Sequence, residues 1–364
     1  MYIEKISLKN FRNYKEECIS FDRNVNIITG KNGQGKTNLI EAVQILSLGK
    51  SFRTLIDAEM IRFGADFFHV KGAFFKQEEP LSVEIQYSKK EKRIKVDGAE
   101  KRKNADLLEN VYTVVFSPED LKIVAEDPEK RRKFLDRELF QLKPLYYTQL
   151  NLYKKALVNR NSVLKEERPD DGLLDVYDKV LSESGAKIIL ERAQFTEKLH
   201  EISAEIGARI SGGKEDISVL YDPDIDPEAS ESIEAAIREK LQKSRARDKE
   251  RRTTTAGPHL DDLKITTSGI DLRRYGSRGQ QRTAALALKL AELRILKEET
   301  GEDAILLLDD VLSELDEERQ KFLIRSFENS QLIITAAGVS GRMGKKLSGG
   351  SRYLVDSGKI VRNE

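Results

Sequence analysis

Gly30-Lys31-Asn32-Gly33-Gln34-Gly35-Lys36-Thr37 sets three glycines, a lysine and a threonine at a spacing that suits phosphate. Glycine permits positive φ and lets backbone N–H groups close around phosphate oxygens. A helix starting at Lys36 aims the positive end of its dipole at the same anion. Lys36 then reaches the β- and γ-phosphates of a nucleoside triphosphate, and Thr37 offers a hydroxyl to Mg²⁺. The whole octapeptide is therefore a candidate ATP-binding loop.

Two further clusters carry chemistry of the same kind. Ile305-Leu306-Leu307-Leu308-Asp309-Asp310 is an apolar run ending in two carboxylates. If it is a buried strand beside the phosphate loop, Asp309 faces the Mg²⁺ and Asp310 stands nearer the γ-phosphate. A carboxylate there can orient and deprotonate an attacking water. Taken alone, the run is equally a strand followed by a solvated acidic turn. Ser277-Arg278-Gly279-Gln280-Gln281 opens a helix whose apolar face is Leu286, Leu290 and Leu293. Serine and glycine at a helix start make a second anion site from Ser277, Gly279 and Gln280, or simply an N-capped surface helix. With two such helix ends far apart in sequence, either both grip one ligand or each completes a site on another copy.

These residues need a scaffold, and the pattern supplies an α/β one. Ile3, Ile6 and Leu8 start a strand, Val25 to Thr29 form another, and Leu39 to Leu46 follow the loop with helical spacing. Residues 67 to 96 alternate, with Asp97-Gly98 as a turn, and Val111 to Phe116 is a short buried strand. From Pro118 to about residue 250, helix formers dominate. Leu145 to Leu164 reads as one helix and Asp175 to Arg209 as another, with Arg168 to Gly172 turning between them. Ile188, Phe195 and Ile202 recur every seven residues, which fits a short antiparallel helical arm or an ordinary helical subdomain. Strands return around Leu263 to Leu272, with Ser268-Gly269 as a hairpin turn. They recur at Ala304 to Leu308, Gln331 to Thr335 and residues 353 to 361. The expected division is an ATPase lobe of residues 1–120 and 291–364 around a helical lobe of residues 121–290.

Composition narrows the class. The chain has 364 residues, 39% hydrophobic and 34% charged, with a net charge of +1. Any nucleic-acid binding must then rest on local patches, not on a whole-molecule field. A single cysteine, Cys18, excludes disulfides within the chain and CxxC metal sites, and it reads as a buried apolar residue. No apolar run is long enough to cross a membrane, and Met1 to Lys5 lack a signal-peptide core. A cytoplasmic protein without a membrane partner is the expectation.

The order of these motifs, with Ser313-Glu314-Leu315-Asp316 after the carboxylates, is similar to ABC-type ATPase heads of the SMC class. Within that class the chain resembles the RecF family of bacterial recombination mediators. The segments that carry the likeness are Leu8 to Tyr14, Leu48 to Arg53, Phe116 to Leu121, Arg131 to Asp136, Gly257 to Asp262 and Tyr275 to Arg282. The fold implied is an ABC-type P-loop ATPase head with an inserted helical lobe carrying a short antiparallel arm. The resemblance further implies a head-to-head homodimer around two ATP molecules, with Ser277 and Gly279 of one copy capping the γ-phosphate held by Lys36 of the other. Residues 313 to 316 become a loop crossing the interface, and Arg12 a phosphate contact. DNA at single-strand gaps and junctions, RecR and RecO as partners, and roles in repair, replication and the SOS response are implied likewise.

Three departures from the class stand out. Asp310 replaces the usual glutamate, so slow, DNA-stimulated hydrolysis is expected. Thr335-Ala336-Ala337 stands where a switch histidine belongs, and no glutamine ends the strand at Phe116. The candidate basic patches are Lys101 to Lys103, Lys130 to Lys133 and the run from Arg245 to Arg252, all without interleaved aromatics. His259 with Asp261 and Asp262 reads as a structural loop.

Overall fold

The computed structural model describes residues 1–54, 56–102, 104–227, 231–326, 330–337 and 349–363. The chain forms two units, Met1–Lys122 with Lys289–Glu364, and Ile123–Leu288.

The first unit begins with β1 (Tyr2–Phe11), β2 (Tyr14–Ser20), β3 (Val25–Thr29) and α1 (Lys36–Leu48). It continues through β4 (Phe67–Lys76), β5 (Glu79–Ser88), β6 (Lys92–Val96), β7 (Ala99–Lys101) and β8 (Thr113–Phe116). An antiparallel sheet has the order β2-β1-β4-β5-β6-β7. Its period of two turns Ile6, Leu8, Phe68, Val70, Val83, Ile85 and Ile94 inward and polar residues outward. The same alternation corrects the reading of Cys18. On edge strand β2, Ile19 takes the inward position, so Cys18 is exposed, its Sγ 3.3 Å from Ser7 Oγ.

The second unit holds α2 (Pro128–Leu142), α3 (Pro144–Leu164), α4 (Asp171–Ser211), β9 (Ile217–Asp222) and α5 (Ile233–Arg251). After them come β10 (Asp262–Thr267), β11 (Ile270–Asp271), α6 (Leu272–Tyr275) and the start of α7 (Arg278–Thr300). At 41 residues, α4 is about 60 Å long. It starts four residues before Asp175 because the Asp170 side chain caps it, accepting from Leu173 N at 3.1 Å. α3 returns along α4: Arg160 Nε pairs with Asp178 at 2.6 Å, and Tyr146 OH accepts from Arg192 Nε at 3.0 Å. α5 also lies along α4, with Arg245 on Asp175 and Asp178 and Lys249 on Asp171. The arm is thus a three-helix assembly fastened to its tip, and the spacing of Ile188, Phe195 and Ile202 is its buried stripe.

β12 (Ile305–Asp309), α8 (Glu317–Arg325), β13 (Leu332–Ala336), β14 (Ser351–Asp356) and β15 (Lys359–Asn363) complete the first unit. The second sheet has the order β15-β14-β3-β13-β12-β8, parallel except for β15. Ile28, Ile305, Leu307 and Ile333 from it join Ile40, Val43 and Leu46 of α1 and the inward face of the antiparallel sheet in one core. Every residue of α1 from Leu39 to Leu48 is buried, as a helix packed on both sides must be. Gly72 permits this approach, since a Cβ there would meet Leu46 Cδ1 at 2.7 Å. Among the described residues, no helix is long and apolar enough to cross a membrane.

Candidate functional site

The segment from β3 to α1 is shaped by its glycines. Gly30 has φ 148°, and a Cβ there would meet the Val355 carbonyl oxygen at 2.3 Å. Gly35, at φ 119°, caps α1 and lies against the Asn13 side chain. Donors from elsewhere hold the loop's carbonyls. Asn13 Nδ2 donates to Gln34 O at 2.7 Å, Tyr14 OH to Gly35 O at 2.9 Å, and Gly358 N to Gln34 O at 3.2 Å. The Gln34 side-chain oxygen accepts from Ser357 N. Lys31, Asn32 and Gly33 are exposed. Lys36 is only 7% exposed, and its Nζ donates to Gly30 O at 2.7 Å and Lys31 O at 3.1 Å. The ammonium therefore lies within the loop it serves.

Parallel pairing through β13 places the end of β12 two strands from β3. Thr37 Oγ1 donates to Asp309 Oδ1 at 2.9 Å, and Thr335 Oγ1 donates to the same oxygen at 2.7 Å. Burial pushes the Asp309 carboxyl above its ordinary range, against those two hydrogen bonds, and the neighbouring Asp310 pushes the same way. Thr37 and Asp309 thus bring two hard oxygen donors together, one of them a buried carboxylate that gains from a cation. That donor set fits Mg²⁺. Asp310 turns the chain with φ 53°, its N–H donating to Thr335 Oγ1 at 3.0 Å and to Thr335 O at 3.2 Å. Ser313 Oγ closes the turn on Asp310 O at 2.7 Å.

Arg12, expected as a phosphate contact, is paired with a carboxylate in this structure. It forks onto Glu41, Nη2 to Oε1 at 2.6 Å and Nε to Oε2 at 2.8 Å, and its Nη1 donates to Glu59 O at 2.8 Å. Glu41 is fully buried and also takes Arg53 Nη1 at 3.3 Å and the Ser51 hydroxyl. The sequence showed Glu41 only as the one carboxylate in an apolar helix, which is the signal for this cluster. Asn13, Tyr14 and Thr335 were likewise visible as residues but not as supports, because their partners are set by tertiary structure.

In the second unit, Ser277 and Gln280 form a reciprocal cap. Ser277 N donates to Gln280 Oε1 at 2.9 Å, and Gln280 N donates to Ser277 Oγ at 3.2 Å. The turn exposes Tyr275, Ser277 and Arg278, with Gly279 half-buried. The candidate basic patches are largely paired within their own unit. Arg131 is buried on Asp262 at 2.6 Å, Lys133 sits on Glu129, and Arg245 and Lys249 are tied to α4. Lys103 lies outside the described residues. His259 is structural: Tyr153 OH donates to its Nδ1 at 2.7 Å and its Nε2 donates to Thr254 O at 3.2 Å. Asp261 accepts from Arg192 at 2.9 Å and from Asp224 N at 2.9 Å.

The family model for the RecF/RecN/SMC N terminal domain matches residues 2–349. The DNA replication and repair protein RecF of Halalkalibacterium halodurans is 42% identical over 371 residues, covering 100% of both chains. Its counterpart from Bacillus subtilis is 40% identical over 370 residues, again covering 100% of both. The solved structure of the recombination mediator protein RecF-ATP in the RecFOR pathway has a TM-score of 0.89 at 37% identity, covering 100% of this chain and 98% of that one. The Smc head domain from Pyrococcus furiosus, bound to the C-terminal domain of ScpA, shares the fold with a TM-score of 0.54 at 18% identity, covering 100% and 96%.

Proposed function

The chain belongs to the RecF family within the RecF/RecN/SMC group, and its fold is that of an ABC-type ATPase head; on that premise we propose an ATP-dependent, DNA-binding recombination mediator. One observation carries the reading: Thr37 and Asp309, 272 residues apart, meet at 2.9 Å beside a loop that already encloses the Lys36 ammonium. That arrangement suits a nucleoside triphosphate with Mg²⁺. Lys36 exchanges its two carbonyl contacts for β- and γ-phosphate oxygens, and Gly30 to Gly35 supply backbone N–H groups. Thr37 and Asp309 hold the Mg²⁺, whose charge offsets that of the phosphates. Thr335 keeps the Asp309 carboxylate aimed. Asp310 takes the proton of the attacking water, and its short side chain makes hydrolysis slow.

Residues 1–120 and 291–364 form the ATPase lobe in this reading, and residues 121–290 the signature lobe. Ser277, Gly279 and Gln280 of a second copy cap the γ-phosphate, and Ser313 to Asp316 cross between the copies. ATP closes the homodimer on DNA, and hydrolysis opens it. The solved relative named with ATP and the RecFOR pathway supports the ligand and supports RecR and RecO as partners. Gapped or junction DNA, bound with low sequence specificity in the cytoplasm during recombinational repair, replication and the SOS response, is the setting.

Binding of a gapped duplex by the wild type and by Lys36→Met, in ATP, in ADP and without nucleotide, tests the reading. Wild-type affinity rises in ATP alone, while the variant binds at one weak level throughout. Equal wild-type affinity in all three states contradicts it.

A further inference from the structure

One aromatic side chain of the first unit is left in solvent by design of the backbone around it. Phe63 is 99% exposed. It occupies a tight turn in which Ala65 N donates to Arg62 O at 2.9 Å and Gly64 takes φ 81°. The turn is mounted on the end of β1. Arg62 N donates to Asn10 O at 2.8 Å, Ile61 bridges to Phe11, and Arg12 N donates to Met60 O at 2.8 Å beneath the buried Met60 side chain. A frayed loop would expose an aromatic by chance; this one is held out on a fixed support.

The outward face of the antiparallel sheet starts at the same end. Strand register lines up Lys9, His69, Gln86 and Arg93 across β1, β4, β5 and β6. The next row carries Ser7, Lys71, Glu84 and Lys95. Among the described residues, Lys9 and Lys95 are exposed and make no ion pair. Arg93 pairs with Glu91 at 2.8 Å at the surface, and Glu84 is held by Lys71 at 2.7 Å. The remaining carboxylates of these rows, Glu16 and Glu100, lie on the edge strands β2 and β7. Glu84 also faces His69 at 3.4 Å, so the unpaired cations of these rows are Lys9 on β1 and Lys95 on β6, strands about 15 Å apart, and the Phe63 turn is mounted at the Lys9 end of β1.

We propose that Phe63 is a base-stacking wedge for the unpaired or terminal base at a gap junction, with Lys9 and Arg93 on the adjoining backbone phosphates. A single ring needs no groove to stack on a base, and surface cations beside it neutralise phosphates without reading sequence. A protein partner would instead need a wider apolar surround. The proposal rests on the DNA-binding reading above and adds to it a structural reason for choosing junctions over intact duplex.

The test uses the full-length protein with ATP and two DNAs, an intact duplex and a gapped duplex carrying a fluorescent purine analogue at the first unpaired position. Wild type changes the analogue's emission and prefers the gapped DNA. Phe63→Ala loses the emission change and about tenfold of that preference, with intact-duplex binding kept, and Phe63→Trp restores both. Lys9→Ala with Arg93→Ala weakens binding to both DNAs and lowers the salt slope by about two. The wedge is overturned if Phe63→Ala keeps the preference and the emission change, or if it weakens ATP-dependent self-association instead. Wild-type protein that binds neither DNA in any nucleotide state overturns the DNA reading itself, and the wedge with it.

Discussion

Thr335 stands where the resemblance to SMC-class heads leads one to look for a histidine, and its hydroxyl joins the two carboxylate positions. Oγ1 donates to Asp309 Oδ1 at 2.7 Å while accepting from Asp310 N at 3.0 Å. Thr335→Val keeps the shape and removes both bonds, leaving the buried Asp309 with Thr37 alone. The expected cost is about 2 kcal/mol in urea unfolding, as for a lost hydrogen bond to a charged group, with a fall in ATP turnover. Thr335→Ser should recover most of each; a valine variant of wild-type stability and turnover would remove Thr335 from this role. At this scale the sequence was legible where a motif is local. Gly30, Gly35, Lys36 and Thr37 lie within eight residues, and their local arrangement follows from backbone geometry. Arg12 was not legible, because its partner Glu41 is 29 residues away and nothing near Arg12 selects it.

Helix spans were legible from composition and spacing, to within the Asp170 cap that starts α4 four residues early, while their lateral partners were not. α5 was read as a basic run, yet Arg245 and Lys249 spend their charge on Asp171, Asp175 and Asp178 of α4. The pairing needed the fold to bring residues about 70 apart together. The Gly257 to Asp262 loop is a similar hub. Arg192 holds Asp136 at 2.8 Å and Asp261 at 2.9 Å, and Arg131 holds Asp262. His259 belongs to this hub as a neutral ring, since burial pushes its pKa below 6.5 despite the hydrogen bond to Thr254. The unfolded chain then binds the extra proton first. Stability is full above pH 6.5 and falls as pH drops toward the folded pKa, by up to about 1.4 kcal/mol per pH unit. Urea unfolding from pH 7 to 5 should show this slope in the wild type and a shallower one in His259→Gln. Equal slopes would mean that His259 is not the group being titrated.

On the scale of the whole molecule, a net charge of +1 rules out binding DNA through a general basic field. The outward sheet face with Phe63 is a local surface of the kind this leaves. No basic run of the sequence contains it, because its cations come from separate strands brought into one row by register. The phosphate loop and the Ser277 turn belong to different units; the proposed sandwich makes each of them half of a site. Sequence order alone left open whether the two halves meet within one chain or between two.

Sedimentation velocity at micromolar protein decides that most directly, with ATP, with ADP and without nucleotide, for wild type and Ser277→Arg. Wild type should move from 41.4 kDa to twice that mass in ATP only, and Ser277→Arg should stay a monomer throughout. A wild-type chain that remains monomeric in ATP contradicts the account.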